Sequence, residues 1–549
     1  MTKEPFSIST IVLLHSLFLA SVASCKDGIQ VEEKPGATMT AKPWRQYVQT
    51  CCDTLIEIGT DRYGEVHSPL IMAVMDVKTR TSPAEPKRYG CLVRLEEDRL
   101  HRRAERGSNL WYDQCLLRSL YRLSEVTSDP KYKEAADDYI SYFFTHCKKP
   151  EDDRSVWNNG MPAWGTHIYW DCYEDRPGGD GGGSGPHEIL VYLPAWSEMY
   201  RIHPDQVKKA IDGIWSWHVV DKATGMHNRH DDGQRGCDFA FSGGSFSLAF
   251  AFMHSVTGKA EYLNKAKRVA DWHWRHRNKD TGLVPDAPST GDRYDATHCM
   301  TCVTGPFATQ LLRCSEVSGD PVFMEMAIHY IKAYDQWGWD EEAGSYWGML
   351  ALGGTPVQGG VELDSQGNPI PGQTRKDQSN YGAWAPAGHV DIWRTTIYSY
   401  EFPLVAAQAA IYAYEMTSKD DGKGDSELLA IAERWARAVE KELPPRTGRR
   451  WKRELHEALP EASRTGGTYA ENYGRAISFF VHLYRATRDE VYLQRAQGLA
   501  KEAVDKLFDN DLFRGHPAKP YYEATDGVGL LLYALLDLDD PEFPLPLSL

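Results

Sequence analysis

The 549-residue chain predicts an all-α fold, an α/α toroid built as a barrel of about seven helical hairpins, with six as the fallback count. Three observations predict it. Apolar residues recur at helical spacing along most of the chain, as at Leu493, Ala496, Ala500, Ala503 and Leu507. The helical stretches come in pairs, separated by short turns of Asp, Gly and Pro that stop one helix and start the next. One amphipathic stretch near each chain end has no neighbour of its own, so pairing first with last closes a ring.

The elements follow in order. Residues 1–25 read as an export signal: the apolar run 11–22 is too short to anchor in a bilayer. It ends in Val22-Ala23-Ser24-Cys25, which resembles a bacterial lipobox with Cys25 as the lipidated residue; the plainer alternative is cleavage near Ala23. Residues 26–42 form a polar tether. Residues 43–549 make a single catalytic domain, because no Pro/Ser-rich linker or charge block divides them. The first helix spans 44–58. Hairpins then turn at Ser128-Asp129-Pro130, His203-Pro204-Asp205, Thr257-Gly258, Ser318-Gly319-Asp320-Pro321, Ser418-Lys419-Asp420 and Thr487-Arg488-Asp489. The unpaired last helix spans 528–538.

Turns inside hairpins are short, whereas the segments between hairpins are long, near 148–187, 220–243, 277–304, 338–400, 442–472 and 509–526. Alternating helix direction puts all the long segments on one end of the ring, and long loops of a compact domain usually carry function. They are crowded with Trp, Tyr, His and Arg, which reads as a sugar-binding groove. The net charge of −16 argues against nucleic acid and against electrostatic adhesion to membranes. The only membrane link expected is a lipid anchor at Cys25, and the expected location is the periplasm or the cell surface. Eleven Cys are too few for a disulfide scaffold, although Cys51-Cys52 and Cys299/Cys302 are placed to bridge or to stay as buried thiols.

Three motifs and a set of scattered residues carry possible chemistry. In the run 291–298, Arg293, Tyr294 and His298 bring a cation, a phenol and an imidazole together. A cation that neutralises a uronate carboxylate acidifies the C5 proton, which a phenolate or imidazole can then remove; the plainer reading is a loop pinned by Asp292 or Asp295. In His227-Asn228-Arg229-His230-Asp231-Asp232, His230 is the next candidate acid or base and Arg229 a carboxylate contact. No cofactor is required on this reading, and a divalent metal near His227/His230 is the lesser alternative to a solvated loop. His187 and Glu188 stand before a helix as donor or cap. Trp170, Arg394, Tyr473, His516 and Lys519 complete the expected substrate contacts, aromatic faces stacking on sugars and basic groups meeting carboxylates.

The hairpin turns, the stretch Arg106-Gly-Ser-Asn-Leu-Trp-Tyr-Asp113 and the run 469–538 resemble bacterial α/α-toroid polysaccharide-degrading proteins, most nearly polysaccharide lyase family 38. That resemblance implies β-elimination on glucuronan or mannuronate-rich alginate, with a Tyr or His base and an Arg or His neutraliser. Two other classes stay open. A toroidal glycoside hydrolase needs a carboxylate pair, for which Glu188, Asp232, Asp238 and Asp295 are available. A non-catalytic surface glycan binder needs the aromatics alone.

Overall fold

The computed structural model describes residues 43–86, 104, 106–179, 182–188, 192–289, 296–358, 388–393, 401–419, 422–447, 466–543 and 545–546. The signal, tether and Cys25 therefore lie outside the described residues, as do Arg293, Tyr294, Asp295 and Arg394.

Fourteen helices are described: α1 (Trp44–Ile58), α2 (Gln114–Thr127), α3 (Pro130–His146), α4 (Trp196–Ile202), α5 (Pro204–Gly213), α6 (Ala240–Thr257), α7 (Ala260–Arg275), α8 (Ala308–Ser318), α9 (Pro321–Gly338), α10 (Pro403–Ser418), α11 (Ser426–Lys441), α12 (Ala470–Thr487), α13 (Glu490–Leu507) and α14 (Val528–Asp539). The hairpin turns form for a repeated local reason. Helices end on a left-handed residue, such as Ser128, Gly319 or Arg488. The next residue is an Asp whose carboxylate accepts from the backbone two positions on: Asp129 from Lys131, Asp320 from Val322, Asp489 from Val491. Pro130 and Pro321 then fill the first helical position, where a missing N–H costs nothing.

The helices form an α/α toroid. α2, α4, α6, α8, α10, α12 and α14 make the inner ring, each with an outer partner, α14 being partnered by α1. An inner helix touches neighbours on both flanks and its partner behind, so it is apolar nearly all round: residues Ala240 to Met253 of α6 are buried without exception. Outer helices keep one wet face, as in α11. Closure happens at α14, which packs against α1, α2 and α12. Small residues allow it. A Cβ on Gly529 would lie 2.7 Å from the Leu116 backbone nitrogen, and one on Gly474 2.6 Å from the Leu530 carbonyl carbon. Seven pairs, joined by uniting the chain ends, is what the repeat count predicts.

The long segments gather at the end where inner helices begin. Short strands brace them: Gly107–Ser108, Ile168–Asp171 and Arg176–Gly179 form one antiparallel sheet, and His298–Met300 pairs with Met349–Ala351. Cys51, Cys52, Cys299 and Cys302 stand as buried free thiols. Cys302 is committed elsewhere, its thiol donating to Asp286 Oδ1 at 2.7 Å.

Candidate functional site

Two long segments, one entering α4 and one entering α6, meet above the ring and bring four side chains together. Glu188 is at the centre and only 1% exposed. Its Oε1 is 2.9 Å from Arg229 Nε. Its Oε2 is 2.7 Å from His167 Nε2 and 4.0 Å from His230 Nε2. One ligand atom from each of His167, Glu188 and His230 lies within 4.8 Å of the others.

Backbone bridges set this geometry. Glu188 pairs with Gly165 on one side and with His230 on the other. Gly165 has φ +107°, and a Cβ there would sit 2.1 Å from the Glu188 carbonyl oxygen, so no other residue fits. Asn109 clasps the same glycine, donating to its carbonyl at 2.8 Å and accepting from its N–H at 3.2 Å. The Arg106–Asp113 stretch thus acts as a scaffold: Arg106 pairs with Asp171 at 2.7 Å, and Trp111 packs edge-on against Trp164.

Beneath lies a buried layer of polar side chains. Asp231 accepts from Lys149 Nζ at 2.6 Å, from Asn159 at 2.7 Å and from the His187 backbone N–H at 2.8 Å. One carboxylate therefore ties the neighbours of Glu188 and His230 to a third loop. Proton positions in the adjoining chain follow from donor chemistry. The indole of Trp164 can only donate, so His187 Nε2 accepts. His187 Nδ1–H must then donate to His218 Nε2 at 2.9 Å, and His218 Nδ1–H to the Asn228 carbonyl at 2.9 Å. Burial pushes both imidazoles down, His218 to about 4, so each stays neutral and the chain keeps one direction. Asn228 Oδ1 finally accepts the His230 backbone N–H at 2.8 Å.

The electrostatics suit a cation. Burial works to raise the Glu188 pKa, but Arg229 and His167 more than offset it and hold the carboxyl well below the usual range. Burial, with Arg229 adding to it, pushes His230 well below its ordinary value, leaving a neutral imidazole. Among the described residues, His230 Nε2 has no hydrogen-bond partner, its approach to Glu188 Oε2 being 4.0 Å. Two imidazole nitrogens and an ionised carboxylate converging on one point are a donor set for a divalent first-row metal with coordination positions left open.

The sequence-predicted residues fare differently. Glu188, Arg229 and His230 meet in the cluster. The lesser alternative of a metal between His227 and His230 is not the arrangement formed. The 227–230 segment is not helical: His227 is bridged to Val219, His230 to Glu188, and the chain bends at Arg229 between them. His227 turns inward, buried between Phe246 and His273, with its ring nitrogens toward the Gly225 and Phe239 carbonyls. His187 also moves from substrate contact to the buried proton chain. Tyr473 is buried and donates to Glu502 at 2.9 Å. Lys519 is enclosed with Glu523 and Asp526 at 3.0 and 2.7 Å, and His516 packs on Tyr469 with Thr447 at 2.9 Å. These three serve the wall of the fold, because the salt bridges and stacking use up the groups a sugar would need. Trp170 is buried in the sheet and His298 opens the strand that pairs with Met349–Ala351. Neither is brought to the Glu188 cluster by a contact the structure records. Arg293, Tyr294 and Arg394 lie outside the described residues. His167 is the residue that spacing misses. Its only sequence signal is an imidazole directly before a short strand, 21 positions from Glu188.

Of the carboxylates a hydrolase would need, Asp238 is fully buried and accepts from Trp272 at 2.8 Å and from Ser289. Asp232 accepts from Asn228 at 2.9 Å and from the Gln234 backbone.

Residues 97–242 match the family model described as periplasmic pectate lyase. That stretch contains all four cluster residues. A pectate disaccharide-lyase of Dickeya dadantii (strain 3937) is 28% identical over 125 residues, 23% of this chain and 22% of that enzyme, so the alignment spans about a fifth of its length. Both name pectate lyases rather than polysaccharide lyase family 38. Among solved structures, a family 76 glycoside hydrolase from a bovine Bacteroides thetaiotaomicron strain aligns with TM-score 0.44 at 13% identity, over 90% of this chain and 78% of that one. A cellobiose 2-epimerase from Bacillus thermoamylovorans B4167 aligns with TM-score 0.43 at 10% identity, over 90% and 97%.

Proposed function

We propose that the protein is a metal-assisted polysaccharide lyase that cleaves a polyuronate by β-elimination after export, with pectate as the substrate. The observation that carries this is the convergence of His167, Glu188 and His230 beside Arg229, inside the stretch that matches pectate lyases. His167, Glu188 and His230 would hold the cation, which would supply positive charge to neutralise a uronate carboxylate and to weaken the pairing of Glu188 with Arg229. With Glu188 committed to a cation, the Arg229 guanidinium would lose its stabilising counter-ion and release a proton to solvent, and the neutral guanidine would be a base strong enough for the weak carbon acid at C5. The C5–H electrons would form the C4–C5 double bond as the C4–oxygen bond breaks, the departing oxygen taking a proton from solvent. Asp231, Lys149 and the His187–His218 chain keep the two segments in register.

The depressed Glu188 pKa supports this reading over one in which Glu188 is a hydrolase's general acid. A glycosidase's general acid must be protonated near neutrality, and Glu188 is held in the opposite state. In the test, polygalacturonate, alginate and glucuronan are incubated with chelated and metal-restored protein, and ultraviolet absorbance of the unsaturated uronate is followed. Unsaturated product from polygalacturonate, lost on chelation and regained with a divalent metal, is expected. Arg229→Ala should keep the metal and lose turnover by about a hundredfold or more. Saturated products, or cleavage that survives Glu188→Gln with His230→Ala, would end the proposal.

A further inference from the structure

A cavity of about 650 Å³ opens between α2, α6, α8 and α14, with the segment that enters α4 and the first turn of α4 closing one side. None of the residues His167, Glu188, Arg229 and His230 lines it. Trp196, Phe252 and Tyr533 form apolar walls, all nearly buried, and Leu545 and Pro546 border its mouth.

Three guanidiniums line this cavity, and two are satisfied. Arg122 pairs with Glu125 at 3.0 Å and covers the Phe543 ring. Arg313 pairs with Glu316 at 2.6 Å and covers Tyr412. Arg118 differs. Among the described residues it has no carboxylate within ion-pair distance; it meets the Cys115 thiol and, at a long 3.4 Å, the Pro194 carbonyl. The remaining carboxylate of the wall, Glu198, accepts from Ser197 instead, at 2.6 Å. A second donor is also unused: the indole N–H of Trp196, 4% exposed, has no acceptor among the described residues.

A half-buried guanidinium without a counter-ion is costly, and more conspicuous in a chain of net charge −16, which has carboxylates to spare. A planar fork of N–H donors matches a carboxylate bidentately. An aromatic wall favours the flat or apolar face of a ring, and the volume is that of a small-molecule pocket. The geometry points to this cavity as a binding site for a small carboxylate that carries a ring, its carboxylate on Arg118 and an acceptor oxygen on the Trp196 indole. Both sugar acids and aromatic acids share that chemistry.

The test titrates the full chain by calorimetry, with chelator present so that the Glu188 cluster is empty of metal. The probes are D-galacturonate and benzoate, and their uncharged counterparts are methyl galactoside and benzamide. One carboxylate per chain is expected to bind, and the counterparts are not. Arg118→Ala should weaken binding by about tenfold to a hundredfold, the scale of a charge-assisted contact. Arg118→Lys, which keeps charge and bulk, should retain part of it. Trp196→Phe, which keeps the ring and drops the N–H, should cost about fivefold. Binding of galacturonate alone identifies a sugar-acid site, and of benzoate alone an aromatic-acid site. Polyuronate cleavage by Arg118→Ala should stay at the wild-type rate, so this site and the catalytic reading stand or fall separately. No binding by either acid, equal binding of the uncharged counterparts, or affinity unchanged in Arg118→Ala and Arg118→Lys would overturn the inference.

Discussion

Replacing Asp231 by Asn keeps the shape of the side chain and removes its charge. Three donors converge on that carboxylate, and the one with most at stake is Lys149, whose side chain, like that of Asp231, is fully enclosed. Burial already pulls the Lys149 pKa down in the native protein, with Asp231 pushing the other way. Without Asp231 the ammonium either stays charged in a closed site or gives up its proton, and the cheaper route bounds the penalty. Giving up a proton at pH 7 costs about 1.4 kcal/mol for each unit below the ordinary lysine value of about 10.4, a ceiling near 5 kcal/mol. Breaking a buried pair by removing one partner typically costs about 3–5 kcal/mol. Asp231→Asn is therefore expected to lose about 3–5 kcal/mol in denaturant unfolding at pH 7. The sign of the pH dependence follows. Lys149 has a lower pKa folded than unfolded, so the penalty is largest at low pH and shrinks by up to about 1.4 kcal/mol per unit as pH rises toward 10. Adding Lys149→Met removes the stranded amine and should recover at least half of the loss. A loss below about 1 kcal/mol, or one that does not change between pH 7 and pH 9, would refute the reasoning.

Other outcomes follow from the same structure. Gly165→Ala places a methyl against the Glu188 carbonyl at a backbone angle that L-residues rarely adopt; it should add about 1–3 kcal/mol of strain and abolish metal retention and turnover together, read by metal content and product absorbance. Burial works to lower the His482 pKa, but Glu415 at 2.6 Å and Asp537 raise it to about 9. Its folded value exceeds the unfolded one, so the stability it adds is full below about pH 6.5 and lost as pH rises through 9. Against His482→Gln, wild type should lose about 3 kcal/mol of advantage over that window, and parallel curves would contradict it. A chain ending at residue 524 lacks α14, which should expose the apolar faces of α1, α2 and α12 and leave the protein insoluble or molten by near-ultraviolet dichroism. Replacing Cys25 by Ser should move the protein from the membrane to the soluble fraction, and unchanged fractionation would leave simple secretion.

By itself the sequence determines the ring. Turn chemistry is local: an Asp before a helix caps it wherever the chain goes, so Asp129, Asp320 and Asp489 mark hairpins in one dimension. Apolar periodicity is local too, and helices left over at the two ends of the chain imply closure through α1 and α14. The sequence also says that chemistry belongs to the long segments, and it marks Glu188, Arg229 and His230 as polar residues there. Which of these residues meet is decided by tertiary structure alone. His167 and Glu188 come together because Gly165 lets two backbones approach within contact. His227 leaves the site because its backbone bridges to Val219 while that of His230 bridges to Glu188, which a spacing of three cannot reveal. Lys519, Tyr473 and His516 look available in sequence, yet each meets a polar partner: Glu523 and Asp526 in the same segment, Glu502 on the adjoining helix, and Thr447 from another loop. Burial and pairing are properties of space. A side chain's donor count is written in the sequence, and what uses those donors is written only in the fold.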